Sequence, residues 1–389
     1  MEINMPKSCR ILISALRQKG YEAYIVGGCV RDSVMGRTPH DWDINTSAKP
    51  DEMLNICKDV SVKFFTDGLK HGTISFVMPD GVYEITTFRA DGKYTDGRRP
   101  DSVKFITSLE DDLSRRDFTM NAMAYSDETG LVDLFGGIKD IENGVVRCVG
   151  NPLDRFEEDG LRILRAIRFA ARFGFYFDKE TADAIHKSLP MLDCVSIERI
   201  TSEIHQIIES KNADYFLYNF RDVFDRCMPG FKPVEIDGLP LGYDGKMAKI
   251  CKASGFINSP LRETNETMQN IYQTLFIMDA YKDASLRDWK VVWEILKNGC
   301  YPENIDAASY ITTGRCSAYE AVKTLGVPYR PSQLEINGND LKRLGIAQGP
   351  QMGKILDDVL NAIQAGKVAN KHDALVQYVA EYCIDADAR

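Results

Sequence analysis

The stretch YIVGGCVRDSVMGRTPHDWDINTSA, residues 24–48, holds the residue types best able to do chemistry. A short apolar run, Tyr24-Ile25-Val26, stops at Gly27-Gly28, and a helix-like segment bearing Arg31 and Asp32 follows. A buried strand that feeds a turn without Cβ atoms brings backbone N–H groups close to whatever sits there, and a phosphate suits such a turn. Asp41 and Asp43 lie two apart in Asp-Trp-Asp-Ile, which reads as strand, so both carboxylates are expected on one face. Paired carboxylates repel unless a divalent cation sits between them. A phosphate cradle beside such a pair is equipment for phosphoryl or nucleotidyl transfer. Glu84, in the run VYEITTF, is either a third acid for this pair or an exposed strand glutamate, and the sequence leaves both open.

Arginines dominate the next two constellations. Arg115-Arg116-Asp117 precedes FTMNAMAY, which reads as helix. Two adjacent cations at a helix start oppose its dipole unless an anion is near, and a triphosphate is such an anion. In RFEEDGLRILRAIRFAARFGF, residues 155–175, Arg162, Arg165, Arg168 and Arg172 recur at helical spacing along one side, with Asp159 three residues before Arg162. Four stacked guanidiniums call for polyanion or carboxylate partners. An Asp–Arg pair also has a hydrogen-bond polarity of its own, since the carboxylate only accepts and the guanidinium only donates. Cytosine and adenine each show an amino donor beside a ring acceptor, so one such pair matches both. Uracil and guanine show the reverse, so both contacts fail and the unpaired polar groups reject them.

The elements that must position these groups read as follows. Residues 7–18 form an amphipathic helix ended by Gly20, a short helix runs to about Met35, and Pro50 opens another. TISFVM and VYEITTF, separated by Pro79-Asp80-Gly81, form a hairpin. Residues 89–103 are polar and glycine-containing, with Arg98 and Arg99 near the tip, and read as a mobile loop. From residue 152 onward helical periodicity takes over. SIERITSEIHQII, with Glu198, Arg199 and Glu203, reads as a bracing helix that Ser196 caps. Residues 229–243 read as a hinge, and Trp289 and Trp293 as core.

The chain has 389 residues, enough for several domains, and is 44% hydrophobic and 27% charged. A net charge of −9 excludes a general nucleic-acid coat but allows one basic face on an acidic protein. Ten scattered cysteines form no C-x-x-C pair, so neither a zinc site nor a disulfide framework is indicated, and reduced thiols in the cytoplasm are the expectation. No apolar run reaches membrane-spanning length. The five histidines do not cluster, and the isolated His372-Asp373 lacks the further ligands of an HD-type phosphohydrolase.

The order GG-x-V-R-D, D-x-D, R-R-D-F-T-x-N-A, E-D-x-x-R and E-R-I-x-x-E resembles the class II tRNA nucleotidyltransferase and bacterial poly(A) polymerase family. The resemblance implies an α+β head on a small mixed, partly antiparallel sheet of the polymerase-β-like nucleotidyltransferase fold, followed by an all-α C-terminal region. It implies a catalytic head over residues 1–150, a base-reading helical neck over 151–230, and a tRNA-binding body and tail over 231–389. It further implies Mg²⁺ on Asp41 and Asp43, triphosphate or ribose on Gly28, Arg31 and Arg116, base reading by Asp159 and Arg162, and nucleotide support from Arg165 and Arg168. The implied reaction is template-independent addition of C, C and A to the tRNA 3′ end from CTP and ATP, with tRNA as partner and neither DNA nor membrane. A poly(A) polymerase or a CC- or A-adding enzyme shares these motifs, but a loop of full length at 89–103 and an acidic chain favour complete CCA addition. A non-catalytic tRNA-binding protein has no need of Asp41 and Asp43. In residues 334–360, G-x-D-L and a Gly-Pro helix start are read either as a grip on the tRNA elbow or as a packing unit.

Overall fold

Alternation along one strand sets the plan of the first half of the molecule. In the computed structural model, which describes residues 2–59, 62–91, 103–281, 285–324 and 326–383, all four residues of β1 (Ala23–Val26) are buried. Ala23 and Ile25 join a core with Leu12, Leu16, Val30, Met53 and Phe76, while Tyr24 and Val26 join a second core with Phe88, Leu113, Ala122 and Val149. A strand buried on both faces belongs inside a sheet covered on both sides. The remaining strands are β2 (Asp43–Thr46), β3 (Lys63–Phe65), β4 (Thr73–Met78), β5 (Gly81–Thr87), β6 (Arg89–Asp91), β7 (Val103–Phe105), β8 (Met123–Ser126) and β9 (Gly130–Asp133). Seven of them form a sheet of order β3-β4-β5-β2-β1-β8-β9, and β6 pairs with β7 separately. Within the sheet only β2 and β5 run parallel, so the hairpin of β4 and β5 lies beside the D-x-D strand.

Helices pack on this sheet. They are α1 (Lys7–Gln18), α2 (Gly28–Val34), α3 (Pro50–Asp59), α4 (Leu109–Ser114) and α5 (Gly137–Glu142). Then come α6 (Pro152–Glu158), α7 (Leu161–Phe173), α8 (Lys179–Lys187), α9 (Ile197–Ile208), α10 (Ala213–Asn219) and α11 (Arg221–Cys227). The helical part is not wholly helical, because β10 (Val145–Val146) and β11 (Tyr176–Phe177) form a short parallel pair. All of this lies in one of two compact units, Met1–Gly238. The other, Leu239–Arg389, is built from α12 (Tyr243–Ser254), α13 (Asn265–Ala280), α14 (Trp289–Lys297) and α15 (Pro302–Thr313), with α16 (Tyr319–Thr324), α17 (Gly338–Arg343), α18 (Pro350–Gln364) and α19 (His372–Tyr378). Among its described residues are an apolar core around Ile277, Leu286, Val292 and Ile305 and another around Leu341, Val359 and Leu375. No helix among the described residues is long and apolar enough to cross a membrane.

Several expectations change. Strand β2 starts at Asp43, so Asp41 precedes the strand instead of sharing it. The register explains this: Ile25 pairs with Ile44, and the chain leaves β1 at Gly27, so nothing on that side pairs with Asp41. FTMNAMAY is not a helix but a 3₁₀ turn, Thr119–Asn121, followed by β8. Its apolar residues alternate between the two cores, Ala122 and Ala124 in one, Met123 and Tyr125 in the other, which is a period of two. Arg115 and Arg116 therefore follow the C-terminus of α4, where the helix dipole favours cations. Ser196 holds the N-cap position of α9 but its side chain makes no capping bond. Trp289 is 41% exposed and not core, whereas Trp293 packs against the first core of the second unit. The loop residues around Arg98 and Arg99 lie outside the described residues.

Asp159 and Arg162 do not share a helix. Asp159 is extended (φ −148°, ψ 104°) between α6 and α7, and Gly160 follows it. A Cβ on Gly160 would overlap the backbone carbonyl of Met191, so the missing side chain is what lets this corner pack. Gly160→Ala is expected to destabilise the protein by about 1–3 kcal/mol through overpacking. Urea unfolding of the two proteins reads this directly.

Candidate active site

Side-chain alternation turns β2 into a two-sided element. Ile44 enters the core, while Asp43 and Asn45 face an open cavity of about 440 Å³. In the parallel pairing Asp43 lies directly beside Glu84 of β5, which also lines the cavity. Strand register thus brings Glu84 next to Asp43, where it is both exposed and cavity-lining, so both sequence alternatives for Glu84 stay open. Asp43 remains solvent-exposed. Crowding by the walls nonetheless raises its carboxyl above the usual range; Arg116 pulls it down, and Glu84 and then Asp41 push it up. Asp41 itself is exposed and is not part of the cavity lining.

Among the described residues, no three His, Cys, Asp or Glu side chains converge as a preformed metal cage. The mutual repulsion of Asp43, Glu84 and Asp41 is the local observation that a divalent cation would relieve.

Opposite the acids stands an arginine wall: Arg89, Arg115, Arg116, Arg162, Arg165 and Arg199 all line the cavity. Arg116 reaches over the Gly27 turn. Gly27 has φ +73°, a conformation that calls for glycine, and a Cβ there would come within 2.8 Å of Arg116 Nη1 and displace that side-chain end. Gly28 begins α2 behind this turn. Arg31 does not line the cavity. It is buried, donates to Asp32 at 2.8 Å and to Asn121 at 2.7 Å, and lies over the rings of Phe169 and Phe173.

Arg162, Arg165 and Arg168 of α7 find carboxylates within the protein, and Arg172 lies over the ring of Phe173. Arg165 donates to Asp117 Oδ2 at 2.6 and 2.9 Å, and Asn121 donates to the other oxygen at 3.0 Å. Burial, the largest single influence, would raise the Asp117 carboxyl, but Arg165, Asn121 and Arg162 together outweigh it and hold the group at about 2. The same carboxylate raises the pKa of Arg165. Arg168, which lies off the cavity, pairs with Glu203 of α9 at 2.7 Å and donates to Gln206 at 2.9 Å. Burial lowers the Arg168 pKa and raises that of Glu203. Repulsion along α7 is thus met internally, so the stacked arginines do not by themselves demand a polyanion.

Asp159 and Arg162 both line the cavity but are bonded elsewhere. Asp159 accepts from Arg199 at 2.8 Å and from the Leu161 N–H at 3.1 Å. Arg162 donates to Glu158 at 2.5 Å and to the carbonyls of Arg155 and Arg115 at 3.2 and 3.1 Å. These bonds use three of the five N–H groups of Arg162 and part of the acceptor capacity of Asp159. Sequence reading missed Arg199, assigning its helix to bracing alone. Its spacing of four from Glu203 on α9 was legible, but its meeting with Asp159 is a tertiary contact.

The comparisons agree with this layout. A family model described as the Poly A polymerase head domain matches residues 23–147, and a tRNA nucleotidyltransferase domain 2 model matches residues 259–379. The CCA-adding enzyme of Bacillus velezensis is 34% identical over 98% of this chain and 99% of its own length. The chain belongs to the CCA-adding enzyme family. The CCA-adding enzyme of Ligilactobacillus salivarius is similar at 33% identity over 94% of each chain. Among solved structures, the Bacillus stearothermophilus CCA-adding enzyme in complex with CTP superimposes with a TM-score of 0.73 at 28% identity, covering 99% of this chain and 100% of that one. A Thermotoga maritima CCA-adding enzyme shares the fold, with a TM-score of 0.63 at 22% identity over 97% and 96% of the two chains.

The Asp117–Arg165 pair generates a pH prediction for this member of the family. Because the folded-state pKa lies below the unfolded value, the pair stabilises above about pH 4, and the contribution fades as pH falls toward 2. Asp117→Asn should cost on the order of 2 kcal/mol at pH 7. The gap to the parent should close as pH falls from 4 to 2. Urea unfolding of both proteins at several pH values measures the gap, and a pH-independent gap would remove the ion pair as its cause.

Proposed function

We propose that this chain adds C, C and A to the 3′ end of tRNA, using CTP and ATP and releasing pyrophosphate, without a nucleic-acid template. One observation carries the reading: a single cavity holds Asp43 and Glu84 on one wall and Arg116, Asp159, Arg162 and Arg199 on the others. An acidic patch for a cation, a cationic patch for a triphosphate and a donor–acceptor pair for a base are what template-free nucleotidyl transfer needs. Asp41 and Asp43 would hold Mg²⁺, which would lower the pKa of the primer hydroxyl and offset charge on the leaving pyrophosphate.

Arg116 meets the triphosphate, assisted by the Gly27-Gly28 turn. Gly28 and Arg31 serve that end by shaping the turn and by fixing Asn121 and a positive charge behind it. Asp159 accepts from the amino group of C or A while Arg162 donates to the ring nitrogen. Arg165 and Arg168 keep α7 in place through Asp117 and Glu203, and Arg199 holds Asp159 until a base arrives. The domain reading belongs to the same proposal: head over 1–150, neck over 151–230, body and tail for tRNA over 231–389, acting in the cytoplasm.

The test is incorporation of labelled CTP and ATP, singly and together, on tRNA lacking CCA and on tRNA ending in CC. The proposal expects two C residues on the first substrate, one A on the second and completed CCA with both nucleotides. Asp43→Ala should lower C and A addition alike by about a hundredfold or more, and chelation of Mg²⁺ should stop both. Repeated A addition would instead make the chain a poly(A) polymerase, and addition of only C or only A would make it a partial enzyme.

A further inference from the structure

Asp112, on α4, is fully buried and does not line the cavity, yet most of the phosphate-facing wall hangs on it. Its Oδ2 accepts from Asn45 Nδ2 at 2.7 Å and from Arg116 Nη2 at 3.4 Å. Its Oδ1 accepts from Arg115 Nη2 at 2.7 Å, from Arg115 Nε at 3.2 Å and from the Arg89 backbone N–H at 3.1 Å. Arg115 closes the ring by donating to the Arg89 carbonyl at 2.9 Å. Five donor contacts converge on two oxygens and every partner is a donor. Only an acceptor-only group satisfies that, and an ionised carboxylate is the one side chain of its size that does. An asparagine amide has no good orientation there: whichever way it turns, its NH₂ faces N–H groups.

The three elements tied together are the ones the reaction has to keep in register. Asn45 is two residues from Asp43 on the same face of β2. Arg116 reaches over the Gly27 turn and lowers the carboxyl of Asp43, with which it shares the cavity lining. Arg89 begins β6.

We propose that Asp112 is a positioning residue that fixes Arg116 relative to the Asp43 strand, and so sets the distance between the triphosphate's cationic contact and the metal-bearing carboxylates. The inference rests on the nucleotidyl-transfer reading of the cavity. Asp112 touches neither nucleotide nor metal and acts through Arg116 and Asn45. Burial would raise its carboxyl, but Arg115 and Arg116 hold it below the usual range, so it stays charged across the working pH range. A competing expectation exists. Removing this negative charge leaves two arginines less neutralised and on charge alone would tighten anion binding. The geometry says orientation wins, because the Arg116 contact is made at fixed length through a group that Asn45 also holds.

The experiment compares the parent with Asp112→Asn, Arg116→Ala and the double variant. Each is measured by competition of inorganic tripolyphosphate against labelled CTP, by KM and kcat for CTP, by the CTP-over-UTP preference and by thermal unfolding. Asp112→Asn should weaken tripolyphosphate binding and raise KM by about tenfold, change kcat less, and leave the CTP-over-UTP preference as in the parent. The double variant should be no worse than Arg116→Ala, because the two act in series. Tighter tripolyphosphate binding, an unchanged KM or additive losses would overturn the proposal, as would a uniform fall in affinity and base preference together, which a merely structural role produces. If Asp112→Asn does not fold, Asn45→Ala removes one tether and keeps the carboxylate. It should weaken tripolyphosphate binding several-fold, and parent-like binding would overturn the proposal. Tripolyphosphate binding needs no turnover, so a parent that binds it but adds no nucleotide to tRNA would refute the functional reading and leave the role of Asp112 decidable.

Discussion

Guanidinium–carboxylate pairing governs where the elements around this cavity can stand. Asp112, Asp117, Glu158, Asp159 and Glu203 each hold an arginine that would otherwise repel its neighbours. The pairs brace the end of α4 and join the RRD segment to α7 and α7 to α9, while the amide of Asn45 ties Asp112 to the D-x-D strand. Breaking one such partly buried pair leaves a charge without its partner, which costs far more than an exposed salt bridge gains. The arginine wall is therefore set in place before any ligand arrives. A wall fixed in advance is what electrostatic stabilisation of a transferring phosphoryl group requires.

The acids facing that wall are treated differently. Asp43 and Glu84 sit side by side, and Asp43 is held above its ordinary pKa despite the pull of Arg116. The cavity thus sets acid against acid at one end, while the arginines at the other are already matched by the protein's own carboxylates. A divalent cation would relieve the carboxylates, and the oxygens of a triphosphate would suit Arg116. This complementarity links the charge pattern of a chain with net charge −9 to a polyanionic substrate.

Local pattern made much of the sheet legible. The amphipathic stripe of α1, the Gly27-Gly28 turn and the Pro79-Asp80-Gly81 hairpin follow from periodicity and turn chemistry within a dozen residues. What failed depended on distant partners. FTMNAMAY has helix-forming residues, but both sheet faces bury it, and a period of two won over propensity. The start of β2 depends on where β1 ends, and the nearness of Glu84 to Asp43 depends on register, neither of which is written in their own neighbourhoods. The Asp159–Arg199 bond joins residues 40 apart, and Gly160, a weak helix residue by propensity, is required by a carbonyl 31 positions away. Asp112 looks like one more acid in Glu-Asp-Asp on α4, and only burial distinguishes it from Asp111.

The central claim is that Asp159 and Arg162 replace a template by the polarity of their hydrogen bonds. In the structure both are engaged, with Arg199 and with Glu158, yet each retains capacity for one more partner in the cavity. The direct measurement is single-nucleotide incorporation of CTP, ATP, UTP and GTP on one tRNA primer by the parent, Asp159→Ala and Arg162→Ala. The account predicts that each variant loses C and A incorporation and narrows the gap to U and G by about tenfold to a hundredfold, the worth of a hydrogen bond to a charged group. If both variants exclude UTP and GTP as strictly as the parent, these two side chains do not read the base, and the account is contradicted.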